Sequence, residues 1–128
     1  MQEESVVICV PPKADFARSV RMLAANLGVV CALSVDDIED LRMAAEEGFV
    51  YTCATNPETV TVYFTLSDGE VAIDYSLGST KVGVPDQDED DNSLAYADLL
   101  LSAICDEHHI DETNNTLHLV KHVGATNA

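Results

Sequence analysis

Residues 34–54, SVDDIEDLRMAAEEGFVYTCA, constrain the fold of this chain more than any other stretch. They predict one long helix. Ser34 stands at an N-cap, and Asp37 follows at the spacing of a capping box. Leu33 and Ile38 flank the cap as a hydrophobic staple, and Asp36 and Asp37 put negative charge where the helix dipole favours it. Ile38, Leu41, Ala45, Gly48 or Phe49, and Thr52 recur at the helical period and mark a core face. A second line, Asp40, Ala44, Glu47 and Tyr51, shares another face. That line has two readings. It is a solvated acidic edge, or Glu47, followed by Gly48, Phe49 and Val50, is a partly desolvated carboxylate. Desolvation raises a carboxylate pKa and suits it to accept a proton.

A helix with one apolar face needs a second layer, and the flanking segments supply it. Residues 5–10, SVVICV, are β-branched and predict a strand. Their lack of alternation implies burial on both faces or a place against the helices. Pro11 and Pro12 end the strand. Residues 15–27 predict a helix with Phe16, Val20, Leu23 and Leu27 on one face and Gly28 as its C-cap. Arg18 and Arg21 fall off that face and are two of only six Lys and Arg residues. They serve solubility or anchor a partner, as exposed arginines often do.

Asn56-Pro57 breaks the chain after the long helix. Residues 59–66, TVTVYFTL, and 70–75, EVAIDY, flank Ser67-Asp68-Gly69 and predict a hairpin. Residues 77–93 read as a loop with Gly78, Gly83, Pro85 and the acidic run 86–91. A calcium loop needs Gly at its sixth place and Glu at its twelfth, where this chain has Asp91 and Ala97, so a self-repelling loop is the better account. Residues 93–105 predict a third helix, capped by Ser93, with Leu94, Ala97, Leu101 and Ile104 inward. Residues 108–111 and 116–123 flank Asn114-Asn115 and predict a last hairpin. His118 and His122 share a strand face without a third ligand, so no metal site is read there. The order strand, helix, helix, hairpin, loop, helix, hairpin predicts one α+β domain over 1–128. Its architecture is a two-layer sandwich, a mixed and mostly antiparallel sheet with three helices on one face.

Charge narrows the function classes. The chain has 23 acidic residues against 6 basic ones, a net charge of −17. Such a field repels nucleic acid and anionic lipid, opposes a polyanion such as ATP and suits basic partners. No run approaches the ~20 apolar residues of a membrane span, and the N-terminal MQEES lacks the basic start of a signal peptide. A cytoplasmic protein is expected. Cys9, Cys31, Cys53 and Cys105 form no CxxC and sit in apolar settings, so reduced core thiols are expected. The triplet Asn114-Asn115-Thr116 is a glycosylation acceptor that a cytoplasmic chain does not use.

Four segments carry a resemblance. DFARSVRMLAANLG, DDIEDLRMAAEEGFVYTCA, VTVYFTLSDGEVAIDYSLG and ADLLLSAICDEHHIDETNNTLHLVKHV together span nearly the whole chain. In that order they resemble the anti-sigma factor serine kinases of bacterial stress and sporulation responses, which have the histidine kinase-like ATPase fold. The resemblance implies that Glu47 matches the family's general base. Tyr51 takes the place of the Asn that holds Mg²⁺, and a phenol is a poor ligand for that ion. Asp74-Tyr75-Ser76-Leu77-Gly78 matches the family's Asp-x-Gly-x-Gly, with Asp74 on adenine, Ser76 in place of the middle Gly, and Gly78 as the last. Residues 77–93 put an acidic loop in place of the Gly-rich ATP lid. Together these imply a regulatory protein that binds a sigma factor or an anti-anti-sigma protein, with kinase activity impaired or lost and no cofactor or metal expected. Arg18 and Arg21 would face that partner, and a homodimer is implied. The alternative is an active protein serine kinase that uses ATP and Mg²⁺, with Glu47 as base.

Overall fold

The computed structural model of the chain describes residues 3–80 and 100–122. Five strands form its sheet: β1 (Glu4–Val10), β2 (Val60–Ser67), β3 (Glu70–Ser76), β4 (Glu107–Asp111) and β5 (Thr116–His122). Their order is β1-β2-β3-β5-β4, and every neighbouring pair is antiparallel, where a mixed but mostly antiparallel sheet was expected. The reason lies in the connections. Helices α1 (Ala17–Val30) and α2 (Val35–Ala54) form a helical hairpin, so the chain returns along β2 opposite to β1. A parallel neighbour needs a single crossover element instead.

The architecture is α+β, with one covered sheet face. Val62, Phe64, Ile73, Tyr75, Leu117 and Leu119 point inward and are buried. They share a core with Val20, Ala24 and Leu27 of α1, with Leu41, Ala45 and Phe49 of α2, and with Leu101 and Ile104 of the helical residues 100–104. Each such side chain contributes ~1.5–3 kcal/mol by leaving water. The acidic run 86–91, the cap Ser93, Leu94, Ala97 and the tail 124–128 lie outside the described residues.

Several expectations hold in detail. Ser34 Oγ accepts from the Asp37 backbone N–H at 3.1 Å and caps α2. Its buried face holds Leu41, Ala45, Gly48, Phe49 and Thr52, and adds Ala44. Gly69, at φ 71°, turns the β2–β3 hairpin, and Asn115, at φ 53°, turns the β4–β5 hairpin.

Other expectations change. Gly28 is not a cap: α1 runs through it to Val30. A Cβ there would sit 3.0 Å from Ile38 and 3.3 Å from Leu41, so α1 and α2 approach closely at Gly28. The cap comes later and uses Ala32 at φ 62°. The Leu33 N–H donates to the Gly28 carbonyl and the Ala32 N–H to the Val29 carbonyl, both at 3.0 Å, a Schellman ending. Of the two placements expected for β1, burial on both faces does not hold, while the other does: Val6 and Ile8 pack against the core shared with the helices. β1 is an edge strand, and Val7 is 52% exposed. All four cysteines are free, but only Cys31 is buried outright and Cys9 is exposed. Burial pushes the Cys105 thiol up to about 12. Among the described residues no helix is long and apolar enough to cross a membrane.

Candidate functional site

The C-terminal half of α2 carries the first part of the site. Glu47 and Tyr51 are one turn apart, and both are partly buried. Burial, and then the neighbouring Glu46 carboxylate, raise the Glu47 pKa. Burial alone raises that of the Tyr51 phenol. A raised pKa makes Glu47 a stronger proton acceptor than an ordinary glutamate. Gly48 lets this half of the helix settle on the sheet. A Cβ there would stand 2.5 Å from the ring of Tyr75.

Beyond Tyr51, α2 ends in two buried threonines. Thr52 Oγ1 donates to the Gly48 carbonyl at 2.7 Å, and Thr55 Oγ1 donates to the Thr52 carbonyl at 2.6 Å. The turn that follows β3 is fastened to this helix end. The Gly78 N–H donates to Thr55 Oγ1 at 2.6 Å, and the Thr80 N–H donates to the Thr55 carbonyl at 3.0 Å. Asn115 Nδ2 reaches across from the last hairpin and donates to the Leu77 and Gly78 carbonyls, each at 3.0 Å. A Cβ on Gly78 would run into the Thr55 carbonyl and the Asn56–Pro57 peptide. Gly78 is thus required for packing of backbone on backbone. What is left is a cleft of about 310 Å³ lined by Tyr51, Leu77, Gly78, Ile110, Glu112 and Asn115, among others.

Asp74 and Ser76 lie elsewhere. Strand alternation turns Val71, Ile73 and Tyr75 inward, and so turns Asp74 and Ser76 to the open face of the sheet. Asp74 is paired with Tyr63 on one side and His118 on the other, and His118 with His109. The Nδ1–H of His118 donates to Asp74 Oδ1 at 2.6 Å. This fixes the imidazole, and its ring centroid lies 5.1 Å from that of His109. Tyr63, Asp74, Ser76, His109 and His118 line a separate hollow of about 390 Å³ with Asp111, Asn114 and Thr116. The set carried over by resemblance therefore splits. Tyr51 and Gly78 share one cleft, Asp74 and Ser76 share another on the opposite face, and Glu47 lines neither.

Two arginines complete the sequence-derived set. Arg18 is exposed on α1. Arg21 Nη1 donates to Glu46 Oε1 at 2.9 Å, so it ties α1 to α2. Among the described residues no group of three His, Cys, Asp or Glu side chains is arranged to hold a metal ion. His118 pairs with Asp74, while His122 Nδ1 lies 3.6 Å from Glu70.

Sequence reasoning missed two residues here. Tyr75 is fully buried, and its hydroxyl donates to the Ala45 carbonyl at 2.8 Å, so it fills the position under α2 that faces Gly48. His118 is the partner of Asp74. The signal for both was the alternation of Val71, Ile73 and Tyr75, which leaves Asp74 out of phase with the core. No protein-family model matches the chain, and no curated protein matches it.

Proposed function

We propose that this protein is a regulatory binding module of the anti-sigma type, on a scaffold of the histidine kinase-like ATPase kind, in which nucleotide binding is lost. It holds a sigma factor or an anti-anti-sigma protein and does so without a cofactor. One observation carries the loss of nucleotide binding: the turn at 77–80 is fastened to the end of α2. The Gly78 N–H, the Thr80 N–H and the Leu77 and Gly78 carbonyls all have protein partners. Backbone groups already bonded within the protein are not free to take a ligand at this turn. Tyr51, and not an amide or carboxylate, stands where the resemblance puts the Mg²⁺ ligand, and Asp74 lines a different hollow from Tyr51. The net charge of −17 further opposes a triphosphate.

Exposed Arg18 is the contact assigned to the partner. Calorimetric titration with Mg-ATP is expected to give flat traces. Arg18→Glu is expected to weaken capture of the cognate sigma factor or antagonist by roughly 30-fold, the effect of ~2 kcal/mol at an arginine hot spot. Saturable heats in the micromolar range would remove the first half of this reading, and unchanged partner binding the second.

One observation favours the active kinase. The raised pKa of Glu47 is what a general base for a substrate serine requires. Phosphoryl transfer to a candidate antagonist, lost in Glu47→Gln, would establish that reading in place of the first.

A further inference from the structure

Strand pairing sets a row of side chains across the open face of the sheet. Asp74 of β3 stands opposite His118 of β5, and His118 stands opposite His109 of β4. Spacing along the chain groups His118 with His122, but His122 Nδ1 lies 3.6 Å from Glu70 and belongs with that carboxylate. The sheet gives His118 a different partner. The ring centroids of His109 and His118 are 5.1 Å apart, with the planes inclined at 47°. Two imidazoles bound side by side to one ion, at a metal–nitrogen length of about 2.1 Å, also have their centroids about 5 Å apart.

The carboxylates around this pair are already engaged. The Nδ1–H of His118 donates to Asp74 Oδ1 at 2.6 Å, which leaves Nε2 as the bare nitrogen of the neutral ring. A carboxylate behind a histidine is the usual support of a metal ligand, because it fixes the ring and makes the other nitrogen more basic. Asp111 lines the same hollow, but its Oδ1 accepts from the Thr113 and Asn114 backbone N–H groups at 3.0 and 3.2 Å. Its Oδ2 accepts from Asn114 Nδ2 at 2.7 Å. Asp111 therefore serves as a nearby negative charge. Among the described residues no hydrogen bond holds the His109 ring. Both rings reach solvent: His109 is exposed, and the His118 side chain is 27% exposed.

We propose that His109 and His118 form a two-histidine site for a divalent transition metal such as zinc. The ligands are Nε2 of His118 and a ring nitrogen of His109, and water completes the coordination. The protein supplies a pair of ligands and not a trio, so the ion keeps open positions. Nitrogen donors favour zinc, nickel and copper over magnesium and calcium. Asp74 is a positioning residue, which orients His118 and does not touch the ion. Its charge, that of Asp111 and the net charge of −17 draw a cation to this face. The ligands lie on β4 and β5, so the ion ties the edge strand β4 to its only neighbour. The site is distinct from the cleft at Tyr51.

The test titrates the full chain with zinc chloride in a calorimeter, at neutral pH in a buffer that does not chelate. A saturable site is expected, displaced by nickel but not by magnesium or calcium. It is expected to weaken on acidification, because protons compete for the imidazole nitrogens. His109→Ala and His118→Ala are each expected to abolish it, while His122→Ala, on the same face, leaves it intact. Asp74→Asn is expected to weaken it by roughly 10- to 100-fold. Nitrogen NMR of the imidazoles needs no variant. It is expected to show His118 as the Nδ1–H tautomer in the parent, and zinc is expected to move the His109 and His118 signals but not those of His108 and His122. Flat heats overturn the proposal, and so do zinc shifts that miss His109 and His118. Binding that survives either alanine, or that calcium displaces, also overturns it, since the acidic surface would then hold the ion. Affinity and tautomer unchanged in Asp74→Asn overturn the role given to Asp74. None of these results bears on ATP binding or on Arg18.

Discussion

At the residue scale, two backbone positions make opposite demands. Ala32 adopts φ 62° to close α1, a conformation in which a Cβ is strained. Ala32→Gly removes that strain without touching the two closing hydrogen bonds, and is expected to stabilise the fold by about 1 kcal/mol, read from urea unfolding. Gly48 is the reverse. Gly48→Ala gains ~1 kcal/mol of helix propensity. The new methyl, however, meets the buried ring of Tyr75, whose hydroxyl is held by Ala45, and overpacking costs about 1–3 kcal/mol. A net loss near 1 kcal/mol is expected in the same assay. Gly28 shows why glycines are hard to read from sequence. A cap and a close helix contact both require the same residue, and only the neighbouring helix distinguishes them. Asp74 lies apart from Tyr51 and Gly78 for a different reason. Its motif was matched by residue type, while the alternation of its neighbours already set it facing the other way.

At the element scale, one lysine couples three elements. Lys121 Nζ donates to Asp40 Oδ2 of α2 at 3.1 Å and to the Ile104 carbonyl at 3.0 Å, and stands 3.7 Å from Asp37 Oδ1. Its side chain is only 12% exposed. Burial lowers its pKa, but the hydrogen bond to Asp40 and the charges of Asp40, Asp106 and Asp37 outweigh burial and leave it raised. The stability this group provides is therefore complete below the ordinary lysine pKa and lost as pH rises through the higher folded value. Lys121→Met is expected to cost about 3 kcal/mol at neutral pH, because it leaves carboxylates without their cation. The gap from the parent should close in unfolding curves taken at strongly alkaline pH. The Arg21–Glu46 pair, by contrast, is 28% and 40% exposed and contributes little, ~0.5 kcal/mol. The α2 cap and both hairpin turns were legible because Ser34, Asp68-Gly69 and Asn114-Asn115 act within a few residues. The edge position of β1 was not, since a β-branched run reads alike at a sheet's centre and its rim.

At the scale of the whole molecule, 23 acidic residues against 6 basic ones make the folded state repel itself. Added salt screens that repulsion within ~10 Å at 0.1 M. The urea midpoint is therefore expected to rise between low salt and half-molar sodium chloride, with most of the gain at the low end. A flat or falling midpoint would mean that local pairs such as Lys121 with its carboxylates dominate over the net field. Local chemistry in the chain specified where helices and hairpins begin and end, which side of α2 is apolar, and the two-layer α+β arrangement, because periods and turn residues act over one or two turns of chain. Pairing between distant strands settled the rest: an antiparallel sheet with β1 at its rim, Asp74 beside His118 on the open face, and Gly78 packed against the end of α2. Those contacts join residues more than twenty positions apart, and no local pattern encodes which of them meet.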